Sequence, residues 1–155
     1  MADPGKKSKS SNYYRILGTN SNANDKLIKK RYLEKVRAFP PEKDPEEFKR
    51  IREAYDTLKD PFKRSQYDLK TKYQGKAERL LTKAINNINI ENFDKASLLL
   101  EEAEEIASDN IYIMKYKATL ALSQGIFEKF DTIYNEINEI APESKKYLIY
   151  FDKAI

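Results

Sequence analysis

The sequence predicts an all-α protein, and three observations carry that reading. Apolar residues recur at three- and four-residue spacing through most of the chain. Only four glycines and six prolines interrupt 155 residues, of which 35% are charged. The second half also repeats itself with a period of 34 residues. The expected architecture is a unit built round a helical hairpin, then two further helix hairpins and a terminal helix.

Residues 1–11 are Lys- and Ser-rich with Pro4 and Gly5, and are expected to be disordered. Tyr13–Leu17 reads as a short apolar turn closed by Gly18, where a positive φ stops the helix. After a polar loop, Asn24 stands where an N-cap belongs, with Asp25 in the first turn to favour the helix dipole. Leu27, Ile28, Tyr32, Val36 and Phe39 then recur at helical spacing, so a helix should run to about Ala38. Pro40 and Pro41 end it, because proline donates no backbone hydrogen bond and disfavours helix in the residue before it. Pro45 restarts the helix, with Glu46 and Glu47 suited to its N-terminus. Phe48, Ile51, Ala54, Tyr55 and Leu58 form its apolar face, and Asp60 caps a last short helix, Pro61–Tyr67. Asp68–Lys76 is expected to join the two halves as a continuous helix, weakest at Gly75.

These residues carry a family resemblance. NYYRILG resembles the DYYxILG opening of the DnaJ-type J-domain. IKKRYLEKV is similar to that domain's basic second helix, and FKRIREAYDTLKDPFKRSQYD to its third and fourth helices. The resemblance covers residues 12–68. It implies that Pro40-Pro41-Glu42 occupies the loop where the family carries His-Pro-Asp, which makes this a degenerate J-domain. In the family, that loop's histidine and acidic residue engage a DnaK-type chaperone and couple to its ATP hydrolysis. Here only Pro41 matches: Pro40 has no hydrogen-bonding side chain, and Glu42 sets its carboxylate one methylene further out. Charge-assisted pairs depend on geometry, so that displacement forfeits on the order of 1.5–3 kcal/mol. The resemblance also gives Lys26, Lys29, Lys30, Arg31 and Lys35, with Arg37, a docking role against an acidic partner surface; a solvated helix face is the plainer reading.

Offset by 34 residues, Ala84 falls on Ala118, Glu91 on Gly125, Phe93 on Phe127 and Ile106 on Ile140. That is the tetratricopeptide period, and NFDKASLLLEEAEEIASDN and IFEKFDTIYNEINEIAPES resemble that repeat's second helix. The expected organisation is therefore residues 1–11 disordered, a J-like domain over 12–68 and a linker over 69–76. Two tetratricopeptide-like repeats follow over 77–144, then a capping helix over 145–155. Leu81, Ile85, Met114, Tyr116 and Tyr147 are candidates for an apolar groove on the repeats, with core packing as the alternative. Of the Lys and Asn positions by which some tetratricopeptide proteins clamp acidic tails, only Lys146 fits.

Catalysis finds no support. The chain has neither His nor Cys, so the commonest proton shuttle, nucleophile and soft metal ligand are missing. No Gly-rich phosphate loop is visible, and no cofactor or metal site is expected. No run of about 18 apolar residues occurs, which leaves no spanning helix, and the cytoplasm is the default compartment. Residues 1–76 carry 20 Lys+Arg against 11 Asp+Glu, and residues 77–155 carry 9 against 14, so a +9 half precedes a −5 half. Nucleic acid is disfavoured as a partner, because the basic helix lacks interleaved base-stacking aromatics. The expected function is a non-catalytic J-like adaptor that binds protein, either a DnaK-type chaperone or a client, without stimulating an ATPase. Two alternatives stand beside it: a weakly active co-chaperone using Glu42, and a self-assembling repeat protein.

Overall fold

The computed structural model describes residues 12–142. The expected terminal helix at 145–155, the segment 1–11 and Tyr147 lie outside the described residues. All regular elements described are helical, and the chain divides between Tyr67 and Asp68 into two compact units.

The first unit holds α1 (Tyr13–Ile16), α2 (Asp25–Ala38), α3 (Pro45–Leu58) and the start of α4 (Pro61–Thr71). Each start has a local cause. The Asn12, Asn24 and Asp44 side chains accept from the backbone N–H of Arg15, Leu27 and Glu47, and the Asp60 carboxylate accepts from Phe62 and Lys63. Gly18 follows α1 at φ +75, as its place in the sequence predicts. Tyr14, Leu17, Ala23, Ile28, Ile51, Ala54 and Leu58 form the core. Tyr32 of α2 stacks on Tyr55 of α3, with ring centroids 3.9 Å apart and planes within 5°.

Arg64 ties the short helices to the long ones. Its Nε donates to the Tyr14 hydroxyl (3.0 Å), its Nη2 to the Ser21 and Ala23 carbonyls (3.2 and 2.6 Å), and its Nη1 lies 3.6 Å from Asp25. Nearby, the Tyr13 N–H donates to the Tyr67 hydroxyl (2.8 Å) while the two rings stack.

α4 runs four residues beyond the expected end at Tyr67. No helix breaker stands between Asp68 and Lys72, and those two side chains pair across one turn (3.8 Å). The expected continuous helix to Lys76 is not found. Tyr73, Gln74 and Gly75 all take positive φ (57, 54 and 72) and form a 3₁₀ turn, with the Arg79 guanidinium donating to the Gln74 carbonyl at 3.1 Å.

The second unit contains the helix pairs α5 (Lys76–Asn89) with α6 (Phe93–Ile106) and α7 (Ile111–Ser123) with α8 (Phe127–Ile140). α6 also packs on α7, and α5 touches α7. Ala84, Ala96, Ala103 and Ala118 are fully buried, the small side chains that let helices approach closely. Phe130, which stands 34 residues after Ala96, is also buried.

The two hairpin turns match bond for bond. Glu91 N–H donates to Ile88 O and Asn92 N–H to Asn87 O; Gly125 N–H donates to Leu122 O and Ile126 N–H to Ala121 O. This is the Schellman arrangement, which requires a left-handed residue just past the helix. Gly125 supplies it at φ +72, and Glu91 adopts it at φ +60 despite its side chain.

Three substitutions test this frame by chemical denaturation. Nothing lies within 4 Å of a Cβ built at Gly125, so Gly125→Ala is expected to cost about 1 kcal/mol from the positive φ alone. Glu91→Gly relieves the same conformation, and the two changes should move stability in opposite directions. Arg64→Lys should lose about 2 kcal/mol, because one ammonium cannot reproduce the forked donor set.

Candidate functional site

The loop between α2 and α3 is built round one carbonyl. Pro40 O accepts both the Lys43 and the Asp44 N–H, each at 3.0 Å, which closes a tight turn with Pro41 at its second position. Asp44 then turns its carboxylate to cap α3, so it is committed to structure. Pro40 is half-buried, while Pro41 and Glu42 are exposed. What the loop offers a partner is therefore a proline surface, the Glu42 carboxylate and the Lys43 ammonium.

The basic residues of α2 divide into two groups. Lys26, Lys29, Lys30 and Arg37 are exposed, and their spacing places them along one face. Arg31 and Lys35 do not join them. Both are half-buried, Arg31 pairs with Glu34 at 3.0 Å, and a Cβ built at Gly18 would meet Lys35 Cε at 3.5 Å. Leu33, which the apolar periodicity passes over, is 43% exposed within the basic face. Its signal is its spacing, three and four residues from Lys30 and Lys29 and seven from Lys26.

The DnaJ domain family model matches residues 12–68, the segment that forms these helices and their loop. Residues 12–68 are a DnaJ domain. Over 62 residues the chain is 48% identical to the chaperone protein DnaJ of Porphyromonas gingivalis, a match that covers 36% of this chain and 16% of that one. It is 51% identical over 61 residues to the chaperone protein DnaJ of Dictyoglomus thermophilum, with the same shares covered. Human DnaJ homolog subfamily B member 5 is 48% identical over 61 residues, 36% of this chain and 18% of that protein. The chain thus spans less than a fifth of the length of these relatives, and the likeness lies within the DnaJ domain. No solved structure matches the chain.

Beyond the DnaJ domain, the candidate groove residues separate. Leu81 and Met114 are buried and so line no open surface; for these two the core alternative describes their place. Ile85 and Tyr116 are half-buried and lean on the core formed by Leu81, Ala84, Leu100 and Ile113. What the periodicity missed is a cluster on α7. The Lys115 ammonium lies 5.6 Å from the Tyr112 ring centroid and 5.2 Å from that of Tyr116, and the two rings meet edge to face at 5.4 Å.

Among the described residues no group of His, Cys, Asp and Glu side chains could hold a metal ion, and no helix is long and apolar enough to cross a membrane. The Tyr112 phenol titrates outside its ordinary range. Burial, a hydrogen bond with Tyr116, and the charges of Tyr116 and Glu78 push the Tyr112 phenol up to about 12 from 10.0. The unfolded chain then releases this proton first, so stability should fall as pH rises from 10 towards 12. In pH-dependent unfolding curves, Tyr112→Phe is expected to flatten part of that loss.

Proposed function

We propose that this chain is a non-catalytic adaptor whose DnaJ domain binds a chaperone-type protein without stimulating its ATPase. The observation that carries the reading is the loop Pro40-Pro41-Glu42. By position it replaces the His-Pro-Asp of the J-domain resemblance, and its first residue has no side-chain donor or acceptor. The turn is nevertheless closed by the Pro40 carbonyl, and α2 and α3 are joined by the Tyr32–Tyr55 stack. The scaffold persists while the signalling groups are gone. The relatives named chaperone protein DnaJ support a DnaK-type chaperone as the class of partner.

Lys26, Lys29, Lys30 and Arg37, with Leu33 among them, are the surface that docks on an acidic partner. A partner with an apolar contact inside an acidic rim fits that face. The second unit, read as two tetratricopeptide-like hairpins, holds a second protein, so that the chain links two partners. Support for that reading comes from the matched turns at Glu91 and Gly125 and the buried alanines at hairpin contacts. Glu42 is exposed, and this keeps a weakly active co-chaperone as the second reading.

In single-turnover assays, ATP hydrolysis by a DnaK-type chaperone should run at the same rate with and without the chain. Clear acceleration would establish the Glu42-dependent co-chaperone instead. Reversing Lys29 and Lys30 together to Glu is expected to abolish binding to the chaperone, and unchanged affinity would discard the docking face.

A further inference from the structure

Two helix faces of the chain share one plan and carry opposite charge. On α2, Leu33 is 43% exposed, and the exposed bases Lys26, Lys29, Lys30 and Arg37 stand round it. On α6, Leu98 is 61% exposed, and the exposed acids Asp94, Glu101, Glu102 and Glu105 stand round it in the same way. Other charges of these helices are taken up inside the fold: Arg31 pairs with Glu34 at 3.0 Å, and Glu104 with Lys117 of α7 at 2.6 Å. The charges round the two leucines are left over. Among the described residues none of them has an ion-pair partner.

The spacing gives the match a direction. Counted from Leu33, the bases lie seven, four and three residues before it and four after it. Counted from Leu98, the acids lie four residues before it and three, four and seven after it. One order is the reverse of the other. Both helices rise about 1.5 Å per residue, so an antiparallel pairing with the leucines in contact brings Lys26, Lys29 and Lys30 level with Glu105, Glu102 and Glu101. At the other end it brings Arg37 level with Asp94. Lys95, the one base on α6, stands beside Asp94 and offsets part of its charge, so the lysine–glutamate end carries the attraction. A parallel pairing sets Lys30 level with Lys95 and loses the match. In the antiparallel one, the lysine stems lie along the leucines while their ammonium groups reach the carboxylates.

We propose that α2 of one chain docks antiparallel on α6 of a second copy of the chain, leucine on leucine and bases on acids. The occupant is a second copy because the complement of the basic face, in charge and in spacing, is carried by the chain itself. Each chain has one face of each kind, so the contact is heterologous and joins copies head to tail. A single helix pair buries less surface than a standard interface, and its charges are solvent-exposed, so the association is weak and strengthens as salt falls. The same bases form the docking face of the adaptor reading, and self-association therefore withholds that face from a chaperone. The inference goes beyond that reading and does not depend on it, since it stands on the register of two helices whatever the proline loop does to an ATPase.

Sedimentation velocity of the full chain over a concentration series, at low and at high salt, tests it. At low salt the wild type is expected to pass from monomer to larger species as concentration rises, and at high salt to return to monomer. Lys29→Glu with Lys30→Glu, and separately Glu101→Lys with Glu102→Lys, should each weaken self-association about tenfold or more. Mixed in equal amounts, the two double variants should associate again, because one keeps the native acidic face and the other the native basic face. All four positions are exposed, and thermal unfolding of each variant checks that the fold is kept. A wild type that stays monomeric at low salt, an α6 variant that associates as the wild type does, or a mixture no stronger than its parts would each overturn the proposal. Glu101→Lys with Glu102→Lys leaves α2 untouched, so its binding to a DnaK-type chaperone reads the adaptor face separately.

Discussion

One guanidinium holds the DnaJ domain closed. α1 has four residues and could not persist alone, and α4 must be fastened to bury its apolar side. Arg64 joins both to the N-terminal end of α2 through Tyr14, Ser21, Ala23 and Asp25. Those carbonyls lie in the irregular segment before α2, where no helix or sheet would satisfy them. Arg64 thus fastens the start of α2, while Ile28 and the Tyr32–Tyr55 stack turn its buried side to α3 and leave Lys26, Lys29, Lys30 and Arg37 exposed.

The second unit depends on a different constraint, the reversal of the chain after each first helix. Both reversals use one hydrogen-bond pattern, and it admits a left-handed residue at a single place. One copy meets that demand with glycine, and the other forces glutamate into it. The two turns, 34 residues apart in the sequence, thus share one geometry. Between and beside these turns the small side chains Ala84, Ala96, Ala103 and Ala118 are fully buried.

Much of this was legible in the residues. The bounds of α2 follow from an asparagine cap and a proline stop, and the start of α3 from Pro45. Local chemistry decides such ends, so a sequence can report them. The joint after α4 was not legible, because Tyr73 and Gln74 carry no sign that they would take positive φ. At the candidate sites, charge alone grouped Arg31 and Lys35 with the basic face, whereas pairing with Glu34 and packing beside Gly18 divert them. Leu81 and Met114 were offered to a groove because spacing reports a helix face without saying which neighbour covers it; α7 is packed on by α5, α6 and α8 and buries most of its circumference. Lys115 was hidden for the converse reason, since a lysine between apolar residues reads as solvated until two rings are found beside it.

If the proposed adaptor keeps an intact DnaJ scaffold and is silenced by its loop chemistry alone, restoring that chemistry should be enough to waken it. A variant combining Pro40→His with Glu42→Asp tests this most directly, by restoring the missing side chains on the unchanged frame. In single-turnover hydrolysis with a DnaK-type chaperone, the double variant should accelerate turnover where the parent chain does not. A parent chain that already matches the double variant, or a folded double variant that stays silent, would contradict the account.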